Sequence, residues 1–287
     1  MQNVAIIHAF VAGMGAFFNC MLIALDRIQK EHAGKNVIPI VEWIAPHYSN
    51  DPHENIWHKY FELVGFPSLV DANSDVNIVA HYKADYDDKR MDYRRTLHDL
   101  YAKHVRVKSI ITDRVDAIFR PVTESHSHPH SHYHVVGVHL RNTDRCVEPQ
   151  YASPGVAYVS KRLNEEIQKL DGRPVYLFIA SDNKPDAEYI KSHVDPTVIV
   201  LEDPDAVRSD NHISVHGTHD AGMRSVPNDA KALSVLTDIF CLARCELIVR
   251  TCSNVSSAAG IINTNAKIVD VSLEMGRYTE TWLSEIQ

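Results

Sequence analysis

Between residues 135 and 271 the chain alternates strand-length apolar runs with amphipathic helical ones, a pattern that a parallel α/β sheet satisfies. The runs Val-Val-Gly-Val (135–138), Val-Tyr-Leu-Phe-Ile-Ala (175–180), Thr-Val-Ile-Val-Leu (197–201), Glu-Leu-Ile-Val-Arg (246–250) and Lys-Ile-Val-Asp-Val (267–271) read as strands. Helices are expected between them, over 156–170 (Val159, Leu163, Ile167 and Leu170 on one face), 185–193, 229–244 and 255–262. The connection 202–228 is long for a compact domain, which marks a functional loop.

The first half repeats the pattern less regularly. A strand at 4–7 leads through Gly13-Met14-Gly15 into a helix over 17–29 carrying Phe18, Met21, Leu22, Leu25 and Ile28. A dinucleotide fingerprint would need a third glycine where Phe18 stands, so that reading fails. What remains is a glycine turn that brings backbone amides and Asn19 towards a ligand. A strand follows at 37–41, then a helix at 55–64 whose Trp57, Tyr60 and Phe61 belong to the core, stopped by Gly65-Phe66-Pro67. A charge-rich stretch at 85–99 reads as a solvated helix face, and the helical pattern runs on from Leu97 to Phe119. Alternating histidines (His126, His128, His130, His132, His134) then form a loop with Pro129 and several serines. The loop has no cysteine or carboxylate at ligand spacing, so a metal-binding module built on it is the weaker alternative. The expected division is an N-terminal Rossmann-like domain over 1–110, a linker with the His-rich loop over 111–134, a second Rossmann-like domain over 135–275, and a C-terminal helix over 276–287 packing back on the first domain.

At 287 residues, 45% hydrophobic and 23% charged, this is a globular composition with room for about two domains. A net charge of −8 argues against nucleic acid as the main partner. The five cysteines are odd in number and lack C-x-x-C spacing, which fits reduced thiols inside a cell. The apolar N-terminus has no basic leader and is interrupted by Gly13, Gly15 and Asn19. It reads as the first βα unit rather than a signal or membrane span, giving a cytoplasmic expectation.

Three strand ends in the second half turn densely polar: His139–Arg145, Ser181–Asn183 and Thr251–Asn254. Open α/β sheets place ligands there. Arg141 and Arg145 suit a phosphate, and Ser253 or Asn254 caps a helix that begins with the small residues Ser256, Ser257, Ala258 and Ala259. Free amides at such a helix start bind phosphate without a basic side chain. Asp203-Pro204-Asp205 is formally a D-x-D pair, but it leads into the long loop, so metal-independent chemistry is expected and no cofactor is called for.

His139-Leu-Arg141-Asn142-Thr143-Asp144-Arg145 resembles the H-x-R-R-T-D-K type motif of the fucosyltransferase superfamily, which includes the α1,6-, nodulation-type and protein O-fucosyltransferases. Ile179-Ala-Ser-Asp182-Asn183 resembles its A-T-D-D or A-T-D-S block. The stretch from Ala232 through Asp238 and Thr251 to Ser253-Asn254 resembles its third block, and Gly13–Asn19 loosely resembles its glycine turn. The resemblance implies a GT-B architecture in which the second half holds a nucleotide sugar and the first presents the acceptor. It implies an inverting transferase moving a sugar, from GDP-fucose first and from UDP-xylose as the alternative, to a hydroxyl of a glycan or glycoconjugate. Arg141 takes the place of the arginine on the donor β-phosphate, and His139 lies near the nucleotide. Asp182 and Asn183 serve base or ribose, Asp238 the phosphate loop, and Arg145 stands where a lysine is usual. Glu148, one residue short of the expected position, becomes the base, while Asn142 replaces the second motif arginine. Transfer by such a set needs charge stabilisation on the leaving diphosphate and removal of the acceptor proton.

Overall fold

A computed structural model describes residues 2–8, 13–67, 76–83, 93–124, 133–142, 154–210 and 225–274. The second half is a five-stranded parallel sheet. Its strands are β6 (His134–Leu140), β7 (Val175–Ser181), β8 (Ile199–Leu201), β9 (Leu247–Arg250) and β10 (Lys267–Asp270), in the spatial order β10-β9-β6-β7-β8. β6 and β7 are buried along their whole length, as strands covered by helices on both faces must be. The order runs outward from β6 in both directions, so the chain reverses its winding there, and open α/β sheets receive ligands at the carboxyl ends of the strands beside such a reversal, here β6 and β9.

The first half repeats the arrangement on a smaller scale. β1 (Gln2–His8) lies between β2 (Val37–Glu42) and β4 (Val76–Lys83), all parallel, in the order β2-β1-β4. This sheet too reverses winding at its first strand. The fold is therefore the expected α/β one, two Rossmann-like halves with parallel sheets.

Three elements depart from the sequence expectation. The helix read over 55–64 is only α2 (Trp57–Tyr60), and β3 (Phe61–Leu63) follows it directly. The helix read through 97–119 is cut in two: α3 (Tyr93–His104) and α4 (Ser109–Glu124) flank β5 (Val105–Val107). The β-branched Val105 and Val107 favour a strand, and pairing β5 antiparallel to β3 gives both segments a ladder in place of helical hydrogen bonds. Val64 N–H donates to His104 C=O at 2.8 Å and Lys108 N–H to Tyr60 C=O at 3.0 Å, closing both ends of the pair. β4 was not anticipated at all. Trp57, Tyr60 and Phe61 are core residues, as read.

Residues 111–124, read as the start of a linker over 111–134, belong to helix α4, which packs on α7 (Asn228–Leu242) of the second half. One apolar cluster runs through both halves, from α1 (Met14–Glu31) and α3 to α7 and α8 (Asn254–Ile262). Phe18 illustrates it: fully buried, it meets Phe61 at 5.6 Å and, edge-on, Phe240 of α7 at 6.4 Å. The residue that breaks the dinucleotide fingerprint thus helps to weld the halves. A second cluster fills the other face of the five-stranded sheet beneath α5 (Val156–Ile167) and α6 (Lys184–His193). No described helix is long and apolar enough to cross a membrane. Among the described residues four cysteines, Cys20, Cys241, Cys245 and Cys252, are buried and in no disulfide.

Candidate functional site

The carboxyl ends of β6 and β9 are laced together at the switch point. Thr251 N–H donates to His139 C=O at 2.9 Å, and Arg141 N–H donates to the Thr251 hydroxyl at 3.0 Å. His139 and Thr251 are buried, and Arg141 is half-buried where the strand leaves the sheet. Asn142 turns the other way. Its N–H donates to Asp182 Oδ1 at 3.1 Å and its side-chain amide to Asp186 Oδ2 at 2.8 Å, tying β6 to the start of α6. One oxygen of Asp182 is therefore engaged structurally. Asn183 is wholly buried and accepts from Asp186 N–H at 3.0 Å as the N-cap of α6.

Ser253 caps α8, accepting from Val255 N–H at 3.3 Å, and its carbonyl receives the Ser257 hydroxyl at 2.9 Å. Beneath this turn lies a residue that the sequence did not single out. Arg250, entirely buried at the end of β9, pairs with Asp270 at the matching register of β10 (2.8 Å) and donates to the Ser257 hydroxyl at 3.1 Å. The sequence did hold a signal: opposite charges closing two neighbouring apolar strands. Two more residues come from the first half. Arg94 of α3 donates to the carbonyls of Gly260 (2.6 Å) and Asn263 (2.8 Å), and His98 Nδ1–H donates to Ile261 C=O at 2.9 Å. Both sit at the carboxyl end of α8, where cations complement the helix dipole. Burial, helped by the nearby Arg250 charge, lowers Arg94 to about 10.

The glycine turn meets this same helix. A Cβ on Gly15 would lie 2.8 Å from the backbone of Asn254 and Val255, and Asn19 donates to Asn254 C=O at 3.2 Å. Gly15 and Asn19 thus seat the start of α1 against the start of α8, bringing two helix N-termini together, with Gly13 as the α1 N-cap. Asp238 lies in α7, near enough to Arg208, Asp203, Arg114 and Asp182 to feel their charges. Burial pushes its carboxyl up to about 7, and its Oδ1 has no hydrogen-bond partner among the described residues. Asp203 of the D-x-D pair is held by the Arg114 guanidinium at 2.6 Å, a contact between the two halves. Arg145 and Glu148, and the histidines at 126–132, lie outside the described residues.

No protein-family profile matches the chain, and no curated protein matches it in sequence. Solved structures do. The NodZ α-1,6-fucosyltransferase soaked with GDP-fucose superposes with a TM-score of 0.62 at 16% identity, over 95% of this chain and 96% of that one. Fucosyltransferase NodZ from Bradyrhizobium gives 0.61 at 15% identity, over 94% and 96%. A mutant of Arabidopsis thaliana FUT1 in complex with GDP gives 0.54 at 11% identity, over 92% of this chain and 69% of that one. The chain shares the GT-B fold of these enzymes along nearly its whole length.

Proposed function

We propose that this protein is an inverting, metal-independent glycosyltransferase that moves fucose from GDP-fucose to a hydroxyl of a glycan or glycoconjugate. The observation that carries the reading is the arrangement at the switch point of the five-stranded sheet. There His139, Arg141 and Thr251 are interlocked beside a capped helix N-terminus, on the fold of an enzyme whose structure was obtained with GDP-fucose. Residues 135–275 hold the donor in this reading and 1–110 present the acceptor, in the reducing cytoplasm that buried cysteines without disulfides favour.

The chemistry follows from the residue types. The diphosphate seats against the first turn of α8, where Ser253 and Asn254 start the helix, and against Arg141. As the sugar–oxygen bond breaks, both groups stabilise the charge that grows on the leaving phosphate. Removing one such preorganised donor costs about 10²–10³ in rate. Arg250 and Asp270 hold the Ser253–Ser257 turn from below, so the donors need little rearrangement when charge develops. Asp238, which the sequence motif assigned to the phosphate loop, is assigned here instead to the preference for a purine. Its unpartnered buried oxygen complements a base edge with several N–H donors, and guanine presents more of them than uracil. Arg145 and Glu148, which follow β6 in the sequence, complete the motif and are assigned in this reading to the reacting hydroxyl.

The test is turnover of a panel of nucleotide sugars, GDP-fucose and UDP-xylose included, by wild type and Arg141→Ala. Wild type is expected to consume GDP-fucose, and Arg141→Ala to lose about 10²-fold or more. Full activity in the variant would refute the phosphate assignment. Greater thermal stabilisation by UDP than by GDP would replace the donor with UDP-xylose.

A further inference from the structure

The first half carries a hydrogen-bonded chain of three titratable side chains that the donor site does not use. His8 ends β1, Glu42 ends β2 at the partner register position, and His81 lies on β4 opposite Ile6, on the same face as His8. His8 Nδ1 meets Glu42 Oε2 at 3.0 Å, and His8 Nε2 meets His81 Nδ1 at 2.7 Å. The two imidazole planes are 5° from parallel with centroids 5.0 Å apart, so the rings meet edge to edge with the hydrogen bond along the line of centres. Glu42 and His81 use opposite nitrogens of His8. The three groups therefore form a line rather than a cage around one point, which is the wrong arrangement for a shared metal ion.

The line fixes its own protons. An ionised Glu42 only accepts, so His8 carries its hydrogen on Nδ1 and accepts at Nε2. His81 must then donate from Nδ1, which leaves Nε2 of His81 as a lone-pair acceptor at the open end. The place also counts. These are the carboxyl ends of strands on either side of the winding reversal in the first sheet, where open α/β sheets receive ligands. β1 leads to Gly13 and the start of α1, which abuts the start of α8. Beyond β2, the carbonyls of Pro46 and Ser49 accept from the Asn228 amide at the start of α7. Both strand ends thus run into the interface with the donor half. His8 and Glu42 side chains are 40% and 45% exposed, and His81 is exposed, so a substrate can reach them.

We infer that Glu42, His8 and His81 form a proton relay for the acceptor hydroxyl, with His81 Nε2 as the general base. This rests on the glycosyl-transfer reading and supplies a base from the acceptor half in place of Glu148. The acceptor oxygen bonds to the sugar's anomeric carbon as the bond from that carbon to the phosphate oxygen breaks. The diphosphate leaves with the bonding electrons. The hydroxyl proton passes to His81 Nε2, the His81 Nδ1 proton moves to His8 Nε2, and the His8 imidazolium rests against the Glu42 carboxylate. His81 is the catalytic residue, and His8 and Glu42 are positioning residues.

The test uses the full chain, the nucleotide sugar that wild type consumes, and water as acceptor. General-base removal typically costs 10²–10⁴-fold, so His81→Phe should lose about 10²-fold or more in kcat. His8→Phe should match it, and Glu42→Gln, which keeps an acceptor atom, should lose about tenfold. All three should bind GDP within about twofold of wild type, while Arg141→Ala should lose that binding. Nitrogen-15 spectra of histidine-labelled protein should show both His8 and His81 protonated at Nδ1 and not at Nε2. Full turnover by His81→Phe, loss confined to Glu148→Gln, or an Nε2–H on His8 would overturn the relay and leave the donor site standing. A wild type that neither binds nucleotide nor consumes any sugar donor would overturn both.

Discussion

Among the described residues, Asp238 is the carboxyl whose proton the fold holds most firmly near neutral pH. Burial holds its folded carboxyl at about 7, while a carboxyl in the unfolded chain titrates near 3.8. The folded state therefore keeps its proton longer. Asp238 leaves stability intact below the unfolded value, and stability falls as pH rises towards 7 and then levels. Asp238→Asn removes that slope, so its melting temperature relative to wild type should climb between pH 5 and pH 8. Ligand binding runs in the opposite sense. A base with N–H donors favours the ionised carboxylate, so GDP affinity in wild type should rise about tenfold from pH 6 to pH 8 for a group titrating at about 7. Titration calorimetry with Asp238→Asn separates this from the ionisation of GDP itself. An identical pH dependence in the variant would remove Asp238 from the base site.

Among the elements, α8 is the one on which the site depends. Its start is buttressed by Gly15 and Asn19, its carboxyl end is held by Arg94 and His98, and its first turn lies over Arg250. Gly15→Ala drives a Cβ to 2.8 Å from backbone atoms that cannot swing aside. Overpacking of this kind costs about 1–3 kcal/mol, and because it falls on the turn proposed to hold the diphosphate it should also weaken GDP binding. Arg250→Met should cost about 3–5 kcal/mol in denaturant unfolding by stranding Asp270, whereas Arg250→Met with Asp270→Leu should cost much less. A double variant as unstable as the single one would show that the pair itself stabilises the turn. Strands β6, β7, β9 and β10 and the capped start of α8 were legible because burial and capping write local patterns. The run Val76-Asn-Ile-Val-Ala-His-Tyr82 is rich in β-branched and aromatic residues, but Val79 breaks its alternation, which is why β4 was hard to read. The purpose of the glycine turn was not legible, because its partner is 239 positions away (Gly15 to Asn254). Nor was the His8–Glu42–His81 line, which exists only once three separate strands are aligned.

For the whole molecule, the question is whether two Rossmann-like halves behave as two domains. Many two-domain α/β proteins hinge about a polar, weakly packed interface. Here the larger apolar cluster belongs to neither half alone, since Phe18, Phe61 and Tyr101 of the first pack with Leu236 and Phe240 of the second. Polar contacts surround it: Arg114 with Asp203 at 2.6 Å, Lys59 with Asp229 at 2.8 Å, and Asn228 with the Pro46 carbonyl at 2.9 Å. Separating the halves would expose that cluster to water at about 25 cal/mol per Å² of apolar surface, so neither should persist once the other unfolds. Calorimetry should therefore show one transition, with calorimetric and van't Hoff enthalpies in agreement. GDP should shift that whole transition upward rather than split it, because its proposed site is built on a helix clasped by both halves. Phe240→Ala, which empties the interface beside Phe18 and Phe61, should lower the single midpoint by an amount consistent with about 3–5 kcal/mol without dividing it. Two resolved transitions in wild type, or a GDP-induced splitting, would mean that the halves fold independently and that the contacts between α1 and α8 form only after each is complete.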